Sequence, residues 1–367
     1  MFRILISLFS LLMGLFLFFF FRRMCALFFP RLPKRITALV CAALAVAGAA
    51  AAAFGGLSMV IVLYLVGFGL CWQVIHLVLR LVLRRTRAAS MWNKIHASGL
   101  LTLLPAAALV IAGLVSFQNI VCTQYTVYTH KDIRPEGYRI ALVSDVHFSD
   151  MLGEQRLQQV CAQLAAAEAD AVILCGAIVD NDTDVQGLQT VFAALGSIPS
   201  RFGTFYVYGN HDRPTRLMQA DFSTEQLQRA IAQSGITLLC DEAVRLGDEL
   251  TLIGRNDRSD PERASFGQLV EKVSQEDLLV VLDHQPHEYA QADAAQVDLV
   301  LSGHTHGGQL FPLNLLMRII PFNDGVYGHY TLDGGTQTIV SSGLAGWGFP
   351  VKNAAPCEYV LIDILPQ

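Results

Sequence analysis

Acidic residues are missing from the first third of this chain. Residues 1–120 carry 11 Lys or Arg and no Asp or Glu, whereas residues 121–367 carry the other 15 bases and all 31 acids. The formal net charge of −5 is thus +11 and −16 added together. Such a division separates a piece suited to a medium that penalises carboxylates from a piece suited to water. The overall hydrophobic fraction of 53% averages two unlike parts.

The basic part contains four apolar stretches, at roughly 4–21, 36–54, 57–79 and 97–117. Each is near the ~20 residues that a helix needs to cross the hydrocarbon core. The first is too long for the apolar region of a cleaved signal peptide, and basic residues follow it directly with no small-residue cleavage site. It therefore reads as a retained span. Arg22, Arg23, Arg31, Lys34 and Arg35 separate spans one and two; Arg80, Arg84, Arg85, Arg87 and Lys94 separate spans three and four. The positive-inside rule puts both loops in the cytoplasm, and hence both chain ends and the acidic part on the far side. The expected organisation is a four-helix transmembrane anchor over 1–120, a polar, β-leaning linker over 121–137 and a soluble domain over 138–367. His76 and His96 lie in or beside spans without an acidic neighbour for a proton relay, so the helices read as an anchor. The eight cysteines form no CxxC pair, and their spacing demands no disulfide.

In the soluble part, short apolar runs alternate with helical patterns. Strands are expected at 138–144, 171–175, 204–208, 250–254, 278–283, 297–302, 336–342 and 358–364. Between the first two, Leu157, Val160, Cys161 and Leu164 recur on one helical face. The alternation argues an α/β domain with helices covering the sheet. Polar residues gather where strands end: "SDVH", "GAIVD", "GNHD", "DHQPH" and "SGHTHGGQ". In open α/β sheets such turns converge on one crevice outside the carboxyl ends of the strands.

Those turns hold metal-binding chemistry. Asp145 and His147 are two apart on a segment read as extended, so both side chains can face one way. His304 and His306 repeat the spacing, Asn210 offers an amide oxygen and His284 another imidazole. Mixed imidazole and oxygen ligation suits Mn, Fe, Co or Zn rather than Ca. A lone D-x-H or G-H-x-H carries little weight, since a single histidine is more often a packed or surface residue. Five turns in order carry the reading. Asp212 also reads as a helix N-cap. The run Asp180–Asp184 reads as a solvated helix start or an extra ion site, and His287 and His329 fit no motif.

From about Arg139 onward the chain resembles the calcineurin-like metallophosphoesterases, whose pattern is D-x-H, G-D-x-x-D, G-N-H-[DE], a lone H and G-H-x-H. Here it stands as "DVH" (145–147), "GAIVD" (176–180), "GNHD" (209–212), His284 and "GHTH" (303–306). "SGHTHGGQ", the later "SSGLAGWGFP" and the membrane-attached layout resemble a membrane-anchored bacterial subgroup. The resemblance implies a four-layer αββα sandwich and two divalent ions, manganese first, with iron or zinc as alternatives. It also implies a bacterial cell membrane, which, with the four spans and the positive-inside orientation, gives a multi-pass location with the catalytic domain outside. Asp145, His147 and His306 would hold one ion; Asn210, His284 and His304 would hold the other. His211 would stand beside the phosphate as proton donor or charge stabiliser, with Asp212 orienting its ring. Asp180 would support the loops. Two ions about 3.5–4 Å apart clamp phosphate oxygens and generate the attacking hydroxide.

The departure is Ala177, at the place of the aspartate that bridges both ions in the family. A methyl group ligates nothing. Two divalent ions ~4 Å apart repel by on the order of 16 kcal/mol at an effective dielectric near 20, which bridging anions offset. The chain is therefore expected to bind two ions poorly and to be largely inactive. Either the alanine was introduced into a working enzyme or the protein is a natural non-catalytic relative; every other motif residue is intact, which favours the former.

A site held at the membrane surface suits a phosphorylated lipid or lipid-linked phosphodiester, pyrophosphate or monoester. The apolar segment 310–322 could form a bilayer-facing lip through Leu315, Leu316 and Ile319, or pack inside the domain. Soluble nucleotides are the alternative substrates, and a membrane-bound sensor of a phosphorylated ligand is the alternative from another class. Nucleic acid is not expected, because the acidic domain lacks the basic footprint that backbone binding needs.

Overall fold

The computed structural model describes residues 2–148, 151–214, 220–320 and 322–367, the first eight by their backbone alone. The chain divides into two units. One runs to Val115 and includes Gly348–Val351; the other comprises Ser116–Trp347 and Lys352–Gln367.

The first unit is helical: α1 (Phe2–Phe28), α2 (Lys34–Ala53), α3 (Gly56–Leu83), α4 (Ala88–Ser98) and most of α5 (Leu100–Gln118). Ser10–Phe28, Lys34–Ala53, Gly56–Leu83 and Leu100–Gln118 are long and apolar enough to cross a membrane. Gly55 and Gly56 both take positive φ, which allows the tight reversal between α2 and α3. The fourth apolar stretch starts later than its expected boundary of 97. Gly99, left-handed at φ 74, ends α4 and separates it from the span.

The second unit begins with β1 (Ile120–Thr129) and β2 (Tyr138–Val143), followed by α6 (Glu154–Ala166), β3 (Ala171–Cys175), α7 (Val185–Gly196), β4 (Thr204–Val207), α8 (Thr224–Gln233) and β5 (Thr237–Leu238). Then come β6 (Glu242–Leu246), β7 (Leu250–Gly254), α9 (Phe266–Val270), β8 (Leu278–Leu282), α10 (Tyr289–Ala294) and β9 (Leu299–Ser302). It finishes with α11 (Leu313–Ile319), β10 (Gly328–Thr331), β11 (Gln337–Val340) and β12 (Cys357–Pro366). The strands form two six-stranded sheets, ordered β1-β12-β2-β3-β4-β5 and β10-β11-β9-β8-β7-β6.

Period-2 alternation builds the layers. Ile140, Leu142, Ile173 and Cys175 of the first sheet meet Leu250, Leu252, Val280, Leu282 and Leu301 of the second in one core. Their chain neighbours Ala141, Val143, Val172 and Leu174 face away and pack with Leu157, Val160, Leu188 and Leu227 of α6–α8. On the far side, Leu279, Val281 and Val300 pack with Phe266, Leu269 and Ala292 of α9 and α10. Helix, sheet, sheet, helix: this is the four-layer αββα sandwich.

The expected linker over 121–137 is corrected. Its first half belongs to β1, which pairs in parallel with β12 from Ile120↔Cys357 to Thr129↔Pro366. A partner more than 200 residues away leaves no local signal beyond the alternation of "TQYTVYT". Strands β5, β6 and β10 were also unanticipated. They lie at or next to sheet edges, where one-sided burial weakens the apolar pattern.

Candidate metal centre

The motif turns follow β2, β3, β4, β8 and β9, and backbone bonds lock them together. Asp145 N–H donates to Gly176 O at 3.0 Å, His147 N–H to Ala177 O at 3.1 Å and Gly303 N–H to His284 O at 2.9 Å. The reading of Asp145 and His147 as extended is corrected. β2 ends at Val143, and Asp145 and His147 sit at φ 50 and 44. His304, His306 and Ala177 are left-handed as well, at φ 71, 51 and 52. Five non-glycine residues in this sparsely populated region mark a site whose surroundings impose its shape. Glycine is required where loops touch: a Cβ on Gly209 would lie 2.4 Å from Ala177 N, and one on Gly303 2.4 Å from Asp145 Oδ2.

Asp145, His147 and His306 come together with ligand atoms within 4.8 Å of one another, all three buried. Behind them, His147 Nδ1 lies 3.1 Å from Asp180 Oδ2 and His306 Nδ1 lies 3.1 Å from Ala345 O. With each Nδ1–H donating backward, Nε2 is the ring atom left to ligate, the outer-shell arrangement that orients metal-binding histidines. Near this trio, Asn210 Oδ1 lies 3.1 Å from His284 Nε2 and 3.0 Å from His304 Nδ1, while His284 Nδ1 lies 2.7 Å from Cys175 O. If His284 donates through Nδ1, its Nε2 lone pair faces the Asn210 oxygen. Two acceptors stay that close only with a proton or a cation between them.

Charge states suit the same purpose. Burial pushes the His306 ring down to about 3, despite the nearby Asp145 charge. Burial and the neighbouring His284 push His304 down to about 4. Both are neutral with lone pairs at pH 7. Burial alone would raise the Asp145 carboxyl, but His306, His284 and His147 around it hold it well below the usual carboxylate range. Four imidazoles, one carboxylate and one amide oxygen are the donor set of a borderline first-row ion, so these residues fit divalent metals. The named residues of the second trio include no carboxylate.

His211 sits against His147, ring centroids 5.1 Å apart, and 5.4 Å from Trp347, which is half exposed. Burial, then His147 and His284, push His211 down to about 4, and its Nδ1 is buried with no partner among the described residues. Asp212 is not its orienter; that expectation is corrected. Its carboxylate accepts four backbone N–H groups, from Ala177 at 2.7 Å, Ile178 at 2.8 Å, Val179 at 3.1 Å and Gly209 at 2.5 Å. Asp212 therefore staples the turn after β3 to the turn after β4.

Ala177 is fully buried. Asp182 is exposed, and Asp184 accepts from Gly187 N–H at 2.6 Å as the N-cap of α7. Neither occupies the place of the missing acid. His287 pairs with Arg258 and His329 with Gln337, outside the trios. Leu315, Leu316 and Ile319 do not pack inside: α11 has no buried residue, and these three are 46%, 48% and 76% exposed.

Two contributors escaped the sequence reading. Trp347 lies in the quoted "GLAGWGFP" run, but nothing local ties it to His211. Lys352 is fully buried, and its Nζ donates to the carbonyls of Ser342, Gly343 and Ala345. The last of these also receives His306. A single lysine after a glycine-rich run carries no signal of that task.

Residues 138–308 match the family model of the calcineurin-like phosphoesterases. An uncharacterized metallophosphoesterase of Helicobacter pylori is 30% identical over 235 residues, covering 62% of this chain and 60% of that one. A Danio rerio transmembrane protein with metallophosphoesterase domain is 30% identical over 231 residues, 60% of this chain and 52% of that one. An uncharacterized metallophosphoesterase of Aquifex aeolicus is 29% identical over 249 residues, 66% of this chain and 90% of that one. The match with the Helicobacter protein thus spans about three fifths of that relative's length.

Proposed function

With residues 138–308 a member of the calcineurin-like phosphoesterase family, we propose that the chain is a membrane-anchored, metal-dependent phosphoesterase whose activity is suppressed by Ala177. The supporting observation is the buried Asp145, His147 and His306 trio, its histidines anchored from behind. Asp145, His147 and His306 would hold one ion and Asn210, His284 and His304 a second, with manganese the first choice and iron or zinc next. Bound divalent ions supply Lewis acidity toward phosphate oxygens and lower the pKa of water.

The chain's own residues do the rest. Asp180 fixes the His147 ring, and Ala345 fixes His306. His211, neutral before substrate arrives, offers an N–H to a phosphate oxygen; the anion's charge would raise its pKa, so that the ring would take up a proton from solvent and deliver it to the leaving group. Trp347 forms an apolar rim beside it. The substrate is a lipid or lipid-linked phosphate, with soluble nucleotides second. The four apolar helices and the exposed apolar face of α11 support that choice.

The deciding experiment assays the chain and Ala177→Asp with Mn²⁺, Fe²⁺ or Zn²⁺ on phosphomonoesters, phosphodiesters and phospholipids. The expected result is a gain of roughly 100-fold or more on Ala177→Asp, because even an outer-shell partner is worth 10–100-fold. Equal activity together with equal ion content in the two forms rejects the role given to position 177. Ala177 also favours a second reading, a sensor that binds a phosphorylated ligand without turnover. Ala177→Asp would then gain an ion and no activity.

A further inference from the structure

The helical unit holds a polar cluster that the phosphoesterase reading does not use. Arg23 of α1 reaches Gln73 Oε1 of α3 at 3.2 Å and His96 Nε2 of α4 at 3.0 Å. His96 stacks on His76, ring centroids 3.7 Å apart and nearly parallel, and Trp92 lies 6.3 Å from His76. Three helices thus bring a guanidinium, two imidazoles, an indole and an amide together. Arg23 Nε, His76 Nδ1 and Trp92 Nε1 are all buried with no hydrogen-bond partner among the described residues.

Two of those orphans share a chemical bias. Arginine Nε and indole Nε1 can only donate, and a guanidinium keeps its charge at every physiological pH. The acceptors Arg23 does reach are neutral, and residues 1–120 contain no carboxylate. A cation and spare donors inside an apolar helix bundle are costly unless an anion meets them. Arg23 lies five residues before the end of α1, about 8 Å along the axis at 1.5 Å per residue. That depth is within reach of the headgroup layer. Basic pockets between membrane helices bind phosphate headgroups by this combination of charge and donors.

We propose that Arg23, His76 and Trp92, held in place by Gln73 and His96, form a receptor for the phosphate oxyanion of an acidic phospholipid. The site lies wholly in the helical unit and is distinct from the metal centre. The lipid it binds is retained rather than hydrolysed.

The test uses the full chain, delipidated in detergent with EDTA present, so that the metal centre consumes nothing. Failure here leaves the hydrolase reading standing. Dioleoyl phosphatidic acid, dioleoyl phosphatidylcholine and inorganic phosphate are added in separate arms, and retained lipid is read by native mass spectrometry. Phosphatidic acid is expected to bind at least about tenfold tighter than phosphatidylcholine. Arg23→Gln should weaken it by about ten- to a hundredfold, the worth of a charged hydrogen bond, and Trp92→Phe severalfold. Competition by inorganic phosphate would show that the site reads the oxyanion alone; its failure, with phosphatidic acid bound, would show that the acyl chains contribute. Equal retention of the two lipids overturns the proposal, as does unchanged binding in both variants. Trp92→Phe keeps the ring and removes one donor, so it decides the matter if Arg23→Gln does not fold.

Discussion

Asp212 illustrates how much rests on single side chains. Two carboxylate oxygens serve four N–H groups from two loops. In Asp212→Asn one oxygen becomes a donor facing donors. Buried hydrogen bonds to a charged group are worth about 1.5–3 kcal/mol each, so the variant should lose about 3 kcal/mol, seen as a lower denaturant midpoint. An unchanged midpoint would refute the stapling role. The pH response of the chelated protein follows from burial of His304 and His306, which holds their rings at about 4 and about 3. An unfolded histidine titrates near 6.5, so between these values the unfolded state binds more protons. Stability present above about pH 6.5 should drain away as the pH falls toward 4, and thermal melts in EDTA across that range would show it. A flat profile would mean the rings are accessible to water. The motif spacing made Asp145, His147, Asn210, His284, His304 and His306 legible as candidate ligands. The tasks of Asp212 and Lys352 were not, because backbone-directed hydrogen bonds depend on loops that meet only in the folded chain.

Among the elements, α11 exposes Leu315, Leu316 and Ile319. If this face meets a bilayer, Leu315→Asp with Ile319→Asp should cut hydrolysis of vesicle phospholipid in the Ala177→Asp background by roughly tenfold, since apolar insertion contributes in proportion to buried area. A soluble phosphodiester should be hydrolysed at the original rate; equal losses on both substrates would reject the lip. The central strands were readable because two-sided burial writes continuous apolar runs such as "LLVVL" and "AVILC". Edge strand β1 was readable only as a β-leaning linker, since its pairing residues lie at the other end of the chain.

For the molecule as a whole, the positive-inside rule predicts that the sandwich lies outside the cytoplasm. In a background with the eight native cysteines replaced by serine or alanine, a cysteine introduced by Gln189→Cys on the exposed side of α7 should react with a membrane-impermeant thiol reagent in intact cells, whereas one introduced by Arg84→Cys should be protected until lysis. The reverse pattern would invert the topology. The pairing of β1 with β12 carries a further consequence, for synthesis. β12 lies between β1 and β2, so the first sheet cannot close until the last ten or so residues exist. At about 5–20 residues per second, β1 waits roughly ten to fifty seconds for its neighbour. Throughout that interval the strand next to the final span is an unpaired edge, open to the wrong partner. Premature termination before Cys357 would leave that state permanent, and the cell's quality control would meet an anchored chain whose second sheet is complete and whose first lacks β12.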